Sequence, residues 1–146
     1  MIMNVYELIP LEGVGPIKLG SSKEQVQYVL GKPESCHGRT EYYCVSSGQV
    51  TYSAAGRVEF IELASDVVVL WNGLDIFSTP VQELIEAIAQ FSPQALEEDE
   101  PGYMFTFPEA EVSFWRETQP NEGDPEDGMY FESVGIGTKG YYSDHI

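Results

Sequence analysis

The stretch from Ile17 to Pro33 constrains the fold most, because it joins a β-prone start to a helix whose two ends are marked. Ser21 is a suitable N-cap, and Glu24 is placed to reach back to it and complete a capping box. One apolar stripe at i, i+3, i+4 follows, made of Val26, Val29 and Leu30. Gly31 suits the left-handed position after a helix, and Pro33 prevents continuation. The stretch predicts a short strand followed by a short amphipathic helix.

A second helix is predicted after Ser78. Thr79 is the expected N-cap, Pro80 suits the first helical position, and Gln82 completes a Thr-x-x-Gln box. Its apolar stripe at i, i+3, i+4, i+7 consists of Val81, Leu84, Ile85 and Ile88. Pro93 is expected to close the segment.

Most of the remaining chain alternates between β-prone runs and turn signals. Asn72-Gly73 is the strongest hairpin signal, because both residues tolerate positive φ. Hairpins are also predicted at Ala54-Ala55-Gly56 and Pro108-Glu109-Ala110. Loops are expected over Glu34 to Arg39 and over the Pro-, Gly- and acid-rich segment Gln119 to Gly128. The predicted strands cover residues 4–9, 42–45, 50–53, 57–63, 67–71, 74–77, 103–107, 111–117 and 129–137.

These elements predict an α+β fold, an antiparallel sheet with two short helices packed on one face. At 146 residues the chain is expected to form a single domain over 1–146. A shift of 58 residues aligns the two helical segments, which suggests pseudo-repeat halves 1–66 and 67–146, each running strand, helix, strands.

Charge is the most unusual feature of the composition. The chain has 24 acidic and 7 basic residues, a net charge of −17. Such a surface repels phosphate backbones and anionic membranes, so we expect neither direct nucleic-acid binding nor a membrane partner. Residues 1–10 show no basic leader and no later run is long enough to span a bilayer, which predicts a cytoplasmic location.

The first helix and its flanks resemble a known signature. The pattern Ile17-x-Leu19-Gly20-x-Ser22-x-x-Gln25-Val26-x-x-x-Leu30-Gly31-x-Pro33 resembles the strand–helix module of the SmpA/OmlA (BamE-like) proteins and the β-lactamase-inhibitory proteins. Similar modules occur among cytoplasmic immunity-type proteins of bacterial toxin systems. The resemblance implies a fold and a habit of binding other proteins. The chain lacks a lipobox cysteine near its start and the paired cysteines of the secreted inhibitors.

Residues suited to catalysis or metal binding are few. Cys36, His37, Cys44 and His145 match no standard zinc spacing, and no third group orients a Cys–His pair. The acidic runs Glu97–Glu100 and Glu122–Asp127 lack the residue order of a calcium loop. We therefore predict no catalytic residues, no metal and no cofactor.

Aromatic and acidic residues are the better candidates for a binding surface. If helices cover one face of the sheet, the other face exposes Tyr and Trp, which are favoured interface anchors. Residues 97–146 hold 13 of the acidic residues and 2 of the basic ones, so this part is expected to face a basic partner. The candidate protein-binding residues are Tyr43, Tyr103, Trp115, Glu122, Asp124, Glu126 and Asp127.

The sequence therefore predicts a non-catalytic, acidic protein-binding module. Its most concrete version is a cytoplasmic immunity or inhibitor protein that neutralises a basic partner such as a toxin. The alternatives are a nucleic-acid mimic that blocks a DNA-binding protein, and a small hydrolase-type enzyme. The sequence does not indicate an oligomeric state.

Overall fold

The computed structural model describes residues 5–43, 48–93, 102–121, 123–124 and 126–142. Strands take up 40% and helices 13% of this described part. The strands are β1 (Val5–Ile9), β2 (Gly13–Val14), β3 (Ile17–Lys18), β4 (Ser35–His37), β5 (Thr40–Tyr43), β6 (Gly48–Tyr52), β7 (Val58–Ala64), β8 (Val68–Trp71), β9 (Leu74–Asp75), β10 (Met104–Phe107), β11 (Val112–Trp115) and β12 (Ser133–Gly137). The helices are α1 (Lys23–Leu30) and α2 (Val81–Ile88).

The strands form two sheets. The small sheet has five strands in the order β3-β2-β1-β8-β9, with β1 and β8 parallel and the other pairs antiparallel. The large sheet has seven strands in the order β10-β11-β12-β7-β6-β5-β4, all paired antiparallel. Strands before and after residue 66 meet in both sheets, through the β1–β8 and β7–β12 pairs.

The predicted α+β arrangement of one antiparallel sheet with two helices on one face is wrong. The fold is mostly β, and it has a second sheet that the sequence analysis did not anticipate. The error arose because β1 and β8 pair across about sixty residues of chain, a long-range choice that local periodicity does not record. The pseudo-repeat itself stays a hypothesis.

One hydrophobic core joins the two sheets and the helices. Trp71 on the small sheet contacts Phe107 and Phe114 on the large sheet, with ring centroids 5.9 and 6.0 Å apart. Phe131 follows the acid-rich segment 119–128, which we call the acidic loop, and its ring stacks on Phe114 with the ring centroids 5.1 Å apart. We call the face of the large sheet that meets this core its inner face, and the opposite face its outer face.

Helix α1 forms where it was predicted, but its cap is one residue later. Ser22, not Ser21, accepts the N–H of Gln25, and the Gln25 side chain accepts the N–H of Ser22 to close the capping box. The reason lies in tertiary pairing. The Ser21 carbonyl accepts from Val58 and Ser22 bridges to Arg57, which keeps the backbone extended through Ser22.

Helix α2 buries all four residues of its predicted stripe, Val81, Leu84, Ile85 and Ile88. The predicted capping box is wrong. Pro80 is the N-cap residue and provides no side-chain hydrogen bond, while the Thr79 hydroxyl donates to the Asp75 carbonyl. The first helical N–H, on Val81, donates instead to the Met129 carbonyl at 2.8 Å, a contact from a distant loop.

The strongest turn signals are confirmed. Asn72 and Gly73 both have positive φ, 53° and 82°, in the hairpin that joins β8 to β9. The turns after Tyr52 and Phe107 also join antiparallel neighbours. The loop predicted over Glu34 to Arg39 is wrong in part, because Ser35–His37 pairs with β5.

Candidate protein-binding surface

Strand pairing in the large sheet aligns one residue from each strand in a row on the outer face. A row of opposing residues crosses all seven strands, and side chains directly opposite each other share a face. This row consists of Thr106, Ser113, Gly135, Glu62, Gln49, Tyr42 and Ser35. The next row toward one end contains Met104, Trp115, Ser133 and Ala64. None of the strand positions in these two rows is Lys or Arg.

Two tyrosines cover the middle of this outer face. Tyr141 stacks on Phe60 with ring centroids 4.8 Å apart, and Tyr142 meets the same ring edge-on at 6.2 Å. Gly135 and Gly137 leave the necessary room, because a Cβ at either position would collide with Tyr142 or Tyr141. Burial, with the nearby carboxylates, raises the pKa of both hydroxyls above the ordinary tyrosine value.

On one side of these tyrosines lies a cleft of about 260 Å³. Tyr42, 39% exposed, and the carboxylates of Glu34 and Glu62 line it. The Gln49 amide donates to Glu62 at 2.5 Å and holds that carboxylate in place. An aromatic ring beside two carboxylates suits a cationic side chain, which gains from both the ring and the charges.

On the other side stands Trp115, which is 39% exposed beside Met104 and Ser133. Tyr103 is equally exposed, but it follows the opposite alternation and lies near Arg116. The structure therefore does not place Tyr103 and Trp115 on one face.

Tyr43, the third predicted aromatic contact, is only 4% exposed. Successive side chains of a strand point to opposite faces, so Tyr43 of β5 lies on the inner face and Tyr42 on the outer face. Its ring is therefore part of the core and is not available to a partner.

Arg116, the residue after Trp115, connects two separate backbone segments through its side chain. Its Nε donates to the Gly102 carbonyl at 2.7 Å and its Nη1 to the Gly128 carbonyl at 2.8 Å. Burial lowers the pKa of this guanidinium, which stays positively charged at neutral pH. One buried cation thus ties the acidic loop to the β10–β11 hairpin.

The described part of the acidic loop is organised by local hydrogen bonds. The Asn121 side chain accepts from the N–H groups of Gly123 and Asp124, and Asp124 accepts from the N–H of Asp127. The Thr118 hydroxyl donates to Asp127 at 3.0 Å. Asp124, Glu126 and Asp127 are exposed at this loop. Glu122 lies outside the described residues, as do Glu97 to Glu100.

A buried carboxylate that the sequence analysis missed lies between α1 and the inner face. Glu41 is 5% exposed and accepts from the hydroxyls of Tyr43 and Tyr52 at 2.9 and 2.8 Å, and from the Gln27 amide at 2.9 Å. Burial and the Glu41 carboxylate raise the pKa of both phenols, so they stay protonated as donors at neutral pH. The one sequence signal was the position of Glu41, two residues before Tyr43 and therefore on the same face of the strand.

The remaining chemical candidates do not assemble. Cys36 and His37 are exposed on β4, an edge strand, and Cys44 and His145 lie outside the described residues. Within the described ranges, no three His, Cys, Asp or Glu side chains lie close enough to hold a metal ion. No helix in the described part is long and apolar enough to cross a bilayer.

Comparisons with protein-family models, curated proteins and solved structures found no match. The resemblance of the first helix to the SmpA/OmlA and β-lactamase-inhibitory proteins therefore stays a prediction.

Proposed function

We propose that this chain is a non-catalytic protein-binding module whose partner is a basic protein. The observation that carries the proposal is the outer face of the large sheet. It exposes Tyr42 and Trp115, places Glu34 and Glu62 beside Tyr42, and has no Lys or Arg at the strand positions of its two principal rows. Exposed aromatic anchors with surrounding carboxylates suit contact with a cationic protein surface.

In this proposal the acidic residues also act before contact, through long-range electrostatic attraction. A net charge of −17 attracts a basic protein from a distance and raises the rate of encounter. Asp124, Glu126 and Asp127 are exposed, and Arg116 joins Gly128, which follows them, to the Trp115 hairpin. The most concrete version remains a cytoplasmic immunity or inhibitor protein that neutralises a basic toxin.

The test begins with capture of partners from the source cell by the immobilised chain, followed by mass spectrometry. We expect a basic protein whose capture is lost in the Tyr42→Ala, Trp115→Ala double variant. Both residues are partly exposed, so the variant is expected to fold, and circular dichroism checks this. Basic proteins that bind parent and variant equally would contradict the proposed surface.

Binding kinetics with the captured partner then separates long-range attraction, which changes the association rate, from direct contact, which changes the dissociation rate. The loop variant Asp124→Asn, Glu126→Gln, Asp127→Asn is expected to slow association, with a loss that shrinks as salt rises. Its matched control neutralises three helix carboxylates, Glu24→Gln, Glu83→Gln and Glu86→Gln. Trp115→Ala is expected to speed dissociation instead. Equal on-rates for the loop variant and its control would show that the loop has no special place in recognition.

A further inference from the structure

The outward face of the small sheet carries partly exposed apolar residues along its central strands, β1 and β8. Strand β1 lies in the middle of this sheet, yet its outward residues Val5 and Ile9 are 59% and 41% exposed. The parallel register places Val68 and Leu70 of β8 on the same face. Antiparallel and mixed sheets with a solvated face normally carry polar residues there. This face therefore has the composition of a contact surface.

A groove of about 440 Å³ lies where β1 and β8 end. Ile9, Pro10, Leu70 and Phe91 line it, with Trp71 contributing to the lining. Phe91 is 43% exposed although its ring meets Trp71 edge-on at 5.4 Å. The groove is thus an apolar depression bordered by exposed apolar side chains.

A strained leucine, Leu11, follows Pro10, which lines this groove. The N–H of Glu12 donates to the Ile9 carbonyl at 3.0 Å, which closes a turn with Pro10 and Leu11 at its centre. Leu11 has φ of 67°, in the third position of a turn that favours glycine there, and its side chain is 46% exposed. The Leu11 side chain buries little surface that could offset this backbone strain. This favours a contact between Leu11 and a molecule outside the fold.

Three charged residues lie on this face: Lys18 at the β3 edge, in the row of Ile9 and Gly13, and two carboxylates around Leu70. Glu7 and Asp75 both pair with Leu70 in the register, so they stand on either side of it. The Oδ1 atom of Asp75 is buried and accepts no hydrogen bond from the described residues.

We propose that this groove docks an apolar segment of a partner protein that carries one Lys or Arg side chain. The cation lies against Glu7 and Asp75, and the apolar side chains of the segment contact Ile9, Leu11 and Phe91. Charge complementarity at the Glu7–Leu70–Asp75 row argues for a basic segment. The docking surface goes beyond the proposed function, because it lies on the other sheet and shares no residue with the Tyr42–Trp115 face.

The test uses a synthetic capped peptide of nine residues, with Leu and Ser alternating and Lys at the centre of the Leu face. In a Trp115→Phe background, Trp71 is the remaining tryptophan of the two in the chain, and its fluorescence reports on the groove. We expect a saturable change in Trp71 emission. Replacing the central Lys by Gln, or Glu7 by Gln, is expected to weaken binding about tenfold.

Matched variants separate docking from general attraction to an acidic protein. Glu24→Gln on α1 removes the same charge away from the groove and is expected to leave the dissociation constant unchanged. Leu11→Gly relieves the positive-φ strain, so it is expected to raise the thermal midpoint while it weakens peptide binding. Three results would each overturn the proposal: no change in Trp71 emission, equal losses for Glu7→Gln and Glu24→Gln, or full affinity in Leu11→Gly.

Discussion

At the scale of single residues, Glu41 shows how the fold accommodates a buried charge. A carboxylate moved out of water is costly unless hydrogen-bond donors replace the lost hydration. Here Tyr43, Tyr52 and Gln27 provide three donors, and the Lys23 ammonium lies 5.4 Å from the Tyr52 ring centroid. Because Gln27 and Lys23 belong to α1, this cluster helps to orient the helix on the large sheet.

Removing one donor tests this account. We expect Tyr52→Phe to lower the free energy of unfolding by about 1–3 kcal/mol, because Glu41 then loses one of its buried partners. Urea denaturation measures the change. Tyr28→Phe is the matched control, since Tyr28 is 91% exposed and its hydroxyl is expected to contribute less than about 0.5 kcal/mol. Equal effects at both sites would mean that the Tyr52 hydroxyl does not support Glu41.

The same cluster predicts a dependence on alkaline pH. The folded-state pKa of Tyr43 and Tyr52 is raised above the ordinary 10.0, chiefly by burial and then by Glu41. The unfolded chain therefore loses these protons first, so the contribution to stability is complete below pH 10 and declines as pH rises above it. We expect the free energy of unfolding to fall between about pH 10 and 11, and to fall less steeply in Tyr52→Phe. Identical slopes in the parent and the variant would argue against a contribution from Tyr52.

At the scale of elements, the two helices were predicted from the same kind of stripe but are buried to different extents. Helix α2 buries its whole stripe, whereas α1 buries only Val26. Val29 is 46% exposed, and Leu30 is partly buried against the core. Helix α1 is thus held on the large sheet partly by the hydrogen bond from Gln27 to Glu41, and α2 mainly by apolar packing.

Truncations distinguish these two modes of attachment. We expect Ile88→Ala to destabilise the fold by about 2–5 kcal/mol, because Ile88 is fully buried. The loss from Leu30→Ala is expected to be smaller, since part of the side chain already contacts water. Val29→Ala is the exposed control. Chemical denaturation gives the ranking, and a larger loss at Leu30 than at Ile88 would contradict the observed burial.

At the scale of the whole molecule, the net charge of −17 opposes folding, because the compact state brings like charges together. We expect the thermal midpoint to rise from about 0.01 M to 0.15 M NaCl, as the screening length falls from about 30 to 8 Å, and then to level off. The Glu24→Gln, Glu83→Gln, Glu86→Gln variant has less self-repulsion and is expected to show a smaller rise. A midpoint independent of salt over this range would show that repulsion does not limit stability.

Local chemistry determined much of this protein. The presence of both helices, the α2 stripe and the Asn72-Gly73 hairpin follow from neighbouring residues, because periodicity and turn preference act within a few positions. Trp115 and Phe114 likewise point to opposite faces because they are successive residues of one strand, regardless of which strands pair with it.

Tertiary structure alone decided the second sheet, the cap at Ser22 and the burial of Tyr43. Each depends on a distant segment: β8 beside β1, Val58 on the Ser21 carbonyl, and Glu41 with Tyr52 around the Tyr43 hydroxyl. Long-range pairing is selected by the total apolar surface that the assembled sheets bury, so no short stretch contains that information. The groove lined by Ile9 and Leu70 arises in the same way, from strands that meet only after the chain has folded.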